Sequence, residues 1–542
     1  MFRLTTSFLV LFAFLSSCMK GQQADLIIHN AVIHSMDEKL TTYEAMAIKD
    51  GVIIELGPER QILNKYSADE TIDAKGRDVY PGFTDAHTHI LLAAKQRIGA
   101  DLSEVKSYSQ LITELEIYQQ RNNKKIIVGQ GWNEGLWRDQ TIPDNKKLNT
   151  YFPSTPVCLF RYDGHTALVN EAMLELAGIN NETVVEGGEI KKENGILTGI
   201  LTDNAMELVK NKLPKHSKKE LKEQIAEIQN ELFMYGITNV HDAGLDAEDV
   251  EFYKKLIDED NFKINMYGML LPTKENIQFA RKNGIFDYKN LSIRSFKVFA
   301  DGALGSRGAF LKEPYTDNTH SHGHATVNKD ELDSLVKLCL DLDYQLNTHA
   351  IGDASIKMIL DAYKDVKELN SDHRWRIEHA QIIDPADLPL FAKYGVFPSI
   401  QPTHAVSDYL FAENRIGKDR LKSAYAYQSL LNTTGMLAIG TDYPIEGMDP
   451  FRTIYAACTR KNDKEIPSGG FIPEEAISLD DCLKGMTIWA ALAGFQEDRI
   501  GRLEVGMDAT FAIFEKKITV QSTFQNNFSL NTFIKGILVY SV

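Results

Sequence analysis

Two histidines one residue apart, His87 and His89, stand in the run "YPGFTDAHTHI" from Tyr80 to Ile90. Side chains two apart on a strand point to the same side. Both imidazoles would therefore converge on one point, which suits a divalent metal ion. Taken alone, such a pair is more often structural than metal-binding. Four further residues change that balance. Lys297 in "SFKVFADG", His349 in "NTHAIGD", His379 in "RIEHAQ" and Asp442 in "AIGTDYP" each sit at the polar end of an apolar run. Four imidazoles, one carboxylate and one lysine in such positions make a coherent ligand set.

These residues need strands to carry them. "VYPGFTDAHTHI", "ITNVHDAG", "FKINMYGML", "SIRSFKVFADG", "YQLNTHAIGD", "WRIEHAQ", "GVFPSIQPTHA" and "MLAIGTDYP" are eight strand candidates, with helical patterns such as "SKKELKEQIAEIQNELFMYG" between several of them. Strand–helix alternation implies parallel strands. Eight such units closing on themselves make an α/β fold of the (β/α)8 TIM barrel type, with its chemistry at the C-terminal ends of the strands. The expected barrel covers residues 80–495, with an insertion at about 91–208 after the first strand. Residues 24–79 and 496–542 alternate in strand fashion and predict a small β-sandwich domain formed by both chain ends. "GQGWNEG" in the insertion lacks the spacing and the βαβ context of a dinucleotide loop.

The ordered series "PGFTDAHTH", "GWNE", "RYDGHTALVN", "FKVFADGALGSRGA", "THAIGD", "RIEHAQ", "QPTHAVSD", "GTDYPIEGMDP" and "GRLEVGMDA" resembles amidohydrolase family 3 of the metal-dependent amidohydrolases, the group that includes N-substituted formamide deformylases. The resemblance runs from about Ala24 to near the C-terminus. It implies two divalent metal ions, with His87 and His89 on the more buried one and His349 and His379 on the second. Lys297, carboxylated by CO2, would bridge them as a carbamate, and Asp442 would bind metal and handle the proton. Burial beside two dications would depress the lysine pKa, and the neutral amine can add CO2. An uncarboxylated Lys297 would favour a single-metal site. The ligands suit zinc, with manganese, iron or cobalt as alternatives. The implied reaction is hydrolysis of a C–N bond in a small-molecule amide, N-formyl or N-acyl amine. A single-metal deaminase or cyclic-imidate hydrolase is the alternative on the same fold. A non-catalytic ligand-binding lipoprotein is the alternative from another class, although it would be expected to have lost ligands.

Around that set, Arg307 in "GALGSRGA" suits a substrate carbonyl or carboxylate, against a loop ion pair. Asp301 is a candidate for the substrate shell or for a hydrogen bond to a ligating histidine. His404, with Asp408 in "QPTHAVSD", is a candidate oxyanion donor. His165 in "RYDGH" and Trp132 in "GWNE" are candidates to wall the pocket. His320, His322 and His324 in "HSHGH" read as a solvated loop. His241 and its neighbour Asp242 are left without a role.

The bulk properties bound partners and compartment. A net charge of -16 with no basic cluster speaks against nucleic acid. Residues 1–17 read as a signal peptide whose end, "LSSC", resembles a lipobox with Cys18 as the lipidated residue and 18–23 as a tether. The expectation is an exported, membrane-anchored bacterial lipoprotein with a soluble body. Cys158, Cys339, Cys458 and Cys482 form no CxxC pair and read as buried, non-catalytic thiols. A homodimer is the default expectation for assembly.

Overall fold

The computed structural model describes residues 21–370 and 372–542. The expected signal peptide and Cys18, the expected lipidation site, lie outside the described residues. Eight parallel strands form the central sheet: β1 (Phe83–Thr88), β2 (Ile237–Leu245), β3 (Asn265–Leu270), β4 (Leu291–Phe299), β5 (Gln345–Ala350), β6 (Arg376–His379), β7 (Phe397–Ile400) and β8 (Ala438–Ile439). They neighbour one another in chain order. Every residue of β1, β3, β5, β6, β7 and β8 is buried, as parallel strands covered on both faces require. Past β8 the ring is closed by backbone bonds from Asp442 N–H to His87 O and from His89 N–H to Tyr443 O, both 2.7 Å. Residues of the expected metal site thus stitch the barrel shut.

The connections are helical where the pattern predicts it. The helix Lys218–Met234 starts at a capping box between Ser217 and Glu220 and buries Leu221, Ile225, Ile228 and Leu232 along one face. It ends before Gly236, whose φ of 73° lets the chain turn into β2.

Both chain ends meet in one eight-stranded sheet. Gln22–His34 pairs in parallel with Tyr66–Pro81, which pairs antiparallel with Phe511–Phe514. Gln22 and Gln23, expected in the tether, already face Tyr66 and Ser67 in this ladder. The sheet folds over itself, so that Ile53 and Phe533 share one apolar cluster with Ile28, Val79 and Phe511. Tyr66–Pro81 runs into β1 through Gly82, where a β-carbon would lie 2.0 Å from Thr238 Oγ1.

The insertion builds a six-stranded sheet of mixed direction between Ala100 and Asp203. Its core holds Trp132, Trp137, Leu111 and Leu159. A turn after its strand Val157–Arg161 reaches back to the barrel, and a β-carbon on Gly164 would stand 3.6 Å from Ile445 Cδ1.

Candidate metal centre

The ends of β1, β4, β5 and β6 and the segment after β8 bring His87, His89, Lys297, His349, His379 and Asp442 to one end of the barrel. His87 is fully buried. Its Nδ1 lies 2.5 Å from Glu378 Oε2, so the Nδ1–H donates to that carboxylate and Nε2 is left as the ligand atom. Nε2 stands 3.0 Å from Lys297 Nζ and 3.6 Å from Asp442 Oδ1. Burial, then Lys297, push the His87 imidazole down to about 4. Burial also pushes Lys297 down to about 8, which brings the neutral amine needed for carboxylation within reach.

Asp442 joins two convergent sets of donor atoms, one with His87 and His89 and one with His379 and His404. Its Oδ1 is 3.1 Å from His89 Nε2 and its Oδ2 is 3.2 Å from His404 Nε2. Burial works against its charge, but His404, His87 and His89 hold the carboxyl well below the usual range. His379 Nδ1 lies 2.7 Å from Gln401 Oε1, which frees its Nε2 in the same manner as Glu378 frees that of His87. Both His379 and Asp442 have positive φ, 72° and 62°, at strand ends where the chain must turn the side chain inward. The His349 ring lies 4.6 Å from that of His379, yet His349 belongs to neither convergent set.

These residues fit a divalent ion. His349 Nε2 and Asp442 Oδ1 are buried without a hydrogen-bond partner among the described residues. Oriented imidazoles, a carboxylate held charged and a lysine near neutrality are the donor chemistry such an ion takes.

The remaining candidates fall in different places. Asp301 is fully buried. It accepts from the backbone N–H groups of Phe310, Ile351 and Gly352 and from Ser355, and its Oδ1 is 3.5 Å from His349 Nε2. It ties the loops after β4 and β5 together. Arg307 pairs with Asp317 at 2.9 Å in its own loop. Both nitrogens of His404 face carboxylates, Asp442 and, at 3.7 Å, Glu446. Burial opposes its charge, but those two carboxylates push it up to about 10. Asp408 accepts from Gln381 and Tyr425. Trp132 is core of the insertion, its indole N–H donating to Leu159 O. His165 stands at the mouth, its ring 5.2 Å from that of His349. His320 and His322 are exposed, as a solvated loop predicts, whereas His324 is half-buried against Asp203. His241 lies under the site beside Arg376, and Asp242 caps the backbone at Ile90.

Sequence reasoning missed Glu378, Arg376 and Gln401. Arg376 Nε is 2.7 Å from Glu378 Oε1, and both side chains are fully buried inside the barrel. The signal was two opposite charges at alternate positions of an apolar strand.

A parallel eight-stranded barrel with histidines and an aspartate converging at one end defines a metal-dependent hydrolase of the amidohydrolase superfamily. The model of the Amidohydrolase family matches residues 70–528, and the chain belongs to that family. It is 30% identical over 513 residues to the protein LONG AFTER FAR-RED 3 of Arabidopsis thaliana, covering 91% of this chain and 87% of that one. It is 25% identical over 548 residues to the N-substituted formamide deformylase of Arthrobacter pascens, covering 96% and 99%. A metal-dependent hydrolase of uncharacterized function from Pyrococcus horikoshii superposes with a TM-score of 0.75 at 27% identity, covering 91% of this chain and 97% of that one.

Proposed function

We propose that this hydrolase cleaves the C–N bond of an N-formyl or N-acyl amine at a centre of two divalent ions, zinc by preference, joined by a carbamate on Lys297. The observation that carries the reading is the buried approach of Lys297 Nζ to His87 Nε2, 3.0 Å, beside Asp442 and the other imidazoles. A lysine and an imidazole at that distance compete for one proton; a carboxylated lysine and a shared metal resolve the competition. The likeness to a formamide deformylase supports the N-formyl class.

His87 and His89 would hold one ion, His349 and His379 the other, with Asp442 and the Lys297 carbamate completing the set. Bound there, the ions supply Lewis acidity, which lowers the pKa of water to about 7 and polarises a carbonyl. Asp442 takes a proton from the attacking water and delivers it to the leaving nitrogen. His404 holds Oδ2 of Asp442, fixing which oxygen performs the transfer. Glu378 and Gln401 keep the ligating imidazoles in the tautomer that presents Nε2.

The test is metal content per chain after purification without chelator and with bicarbonate, followed by hydrolysis of a panel of N-formyl and N-acetyl alkyl- and arylamines. Two equivalents that fall sharply in Lys297→Ala, with turnover abolished in Asp442→Asn, are expected. One equivalent indifferent to Lys297→Ala would overturn the bridged centre in favour of a single-metal deaminase.

A further inference from the structure

His165 and His324 come from segments far apart in the chain, yet both meet the carboxylate of Asp203. His165 Nδ1–H donates to Asp203 Oδ1 at 2.8 Å, whereas His324 Nε2 faces Oδ2 at 2.9 Å as an ion pair without the alignment of a hydrogen bond. Asp203 and His165 are also joined through the backbone, Asp203 N–H to His165 O at 3.1 Å, across neighbouring strands of the insertion. His324 is strung alongside the end of β4, where Ala325 bridges Asp301 and Thr326 N–H donates to Ala300 O. The carboxylate therefore clamps the insertion to the barrel.

Two further observations mark this clamp as built. Asp203 has φ 48° and ψ -122°, a region that a residue with a β-carbon enters only under constraint. The loop "ADGALGSRGA" makes room for it: a β-carbon at Gly302 would lie 2.5 Å from Asp203 Oδ1, and one at Gly308 3.0 Å from Oδ2. The glycines of this motif thus admit a carboxylate.

What the clamp holds is the His165 ring. With Nδ1–H directed at Asp203, the opposite edge of the ring carries Nε2. The ring stands 5.2 Å from that of His349 and edge-on to Phe299 at 6.4 Å. Phe299 in turn lines a cavity of about 920 Å³ shared with Lys297, Pro272, Val327 and Leu335, while Asn204 and Thr326, neighbours of the clamp, line the same cavity. Asp442, His404 and His89 occupy the β7–β8–β1 side of the centre; His165 and Phe299 occupy the β4–β5 side.

We infer that Asp203 and His324 form a positioning relay that fixes His165 as a substrate-contacting residue, its Nε2 meeting the scissile amide while the apolar substituent lies along Phe299. The inference rests on the hydrolase reading above. Asp203 and His324 act through His165, and His165 acts on the substrate.

The experiment uses the zinc-loaded full chain and N-formyl-2-phenylethylamine. His165→Ala lowers kcat/KM by about 10²-fold, with metal equivalents unchanged and activity partly restored by added imidazole. Asp203→Asn and His324→Ala each lower kcat/KM less, and neither adds to the loss once His165 is absent. In the proton spectrum, one downfield imidazole N–H resonance disappears in His165→Ala and in Asp203→Asn and persists in His324→Ala. A resonance that persists in Asp203→Asn overturns the relay whether or not any amide is hydrolysed. Loss of a metal equivalent in His165→Ala overturns the substrate role, as does undiminished kcat/KM.

Discussion

Glu378 fixes which nitrogen His87 presents, and Arg376 fixes Glu378. Arg376 reaches the backbone of Ala86 at 2.6 Å and Ser399 Oγ at 2.9 Å, so three strands depend on one buried ion pair. Substituting Glu378→Gln leaves Arg376 buried without its counter-charge and gives His87 Nδ1–H a poorer acceptor. We expect zinc affinity to fall about 10–100-fold in a competition titration. Unfolding in denaturant should show a loss of about 3–5 kcal/mol, and unchanged values on both counts would remove Glu378 from this role. The ligand candidates themselves were legible because a histidine or an aspartate at the polar end of an apolar run stands out. Glu378 was not, because its partner His87 is 291 residues away and the alternation of Arg376 with Glu378 in one strand does not point to that histidine. His324 was read with its two exposed neighbours for the same reason: its partner, Asp203, belongs to another sheet.

Strands place these side chains, and the tightest placement is between the end of β8 and β1. A β-carbon on Gly440 would lie 2.4 Å from His87 N and 2.9 Å from Asp85 Oδ1. Gly440→Ala must therefore push β8 away from His87, a candidate metal ligand. The expected result is a stability loss of about 1–3 kcal/mol together with reduced metal content, read by denaturant unfolding and elemental analysis. The terminal sheet offers an independent check through acid. There the Glu55 carboxyl is lowered to about 2, first by its bond to Lys65, then by Tyr66 and Gln61. A carboxyl depressed in the folded state stabilises fully above its unfolded value of about 4.3. That contribution is lost as pH falls towards 2. Glu55→Gln should flatten the fall in stability across this window, and a curve parallel to wild type would exclude Glu55 as its source. All eight barrel strands could be read from apolar runs with polar ends, although β8 is reduced to Ala438–Ile439 because the following residues turn to close the ring. The hydrogen bonds of that closure have no sequence signature.

For the molecule as a whole, metal and fold are linked. An ion that binds only the folded chain adds about 2.7 kcal/mol per site when free metal is a hundredfold above Kd. Chelation should therefore lower Tm, and Asp442→Asn should show a smaller response, both measured by calorimetry. An equal response in the two proteins would place the stabilising ion elsewhere. The barrel class was legible at this scale because alternation of strands and helices is a global pattern, whereas the joining of both termini in one sheet was inferred only from their shared strand character. That joining has a consequence in time. The strand Tyr66–Pro81 leaves the ribosome early, and its partner Phe511–Phe514 emerges almost at the end of synthesis. At about 5–20 residues per second the delay is on the order of twenty to ninety seconds. Throughout it, one edge of that strand has unpaired backbone groups that invite foreign strands. The nascent chain must pass through a period in which its earliest-made sheet is its most adhesive part.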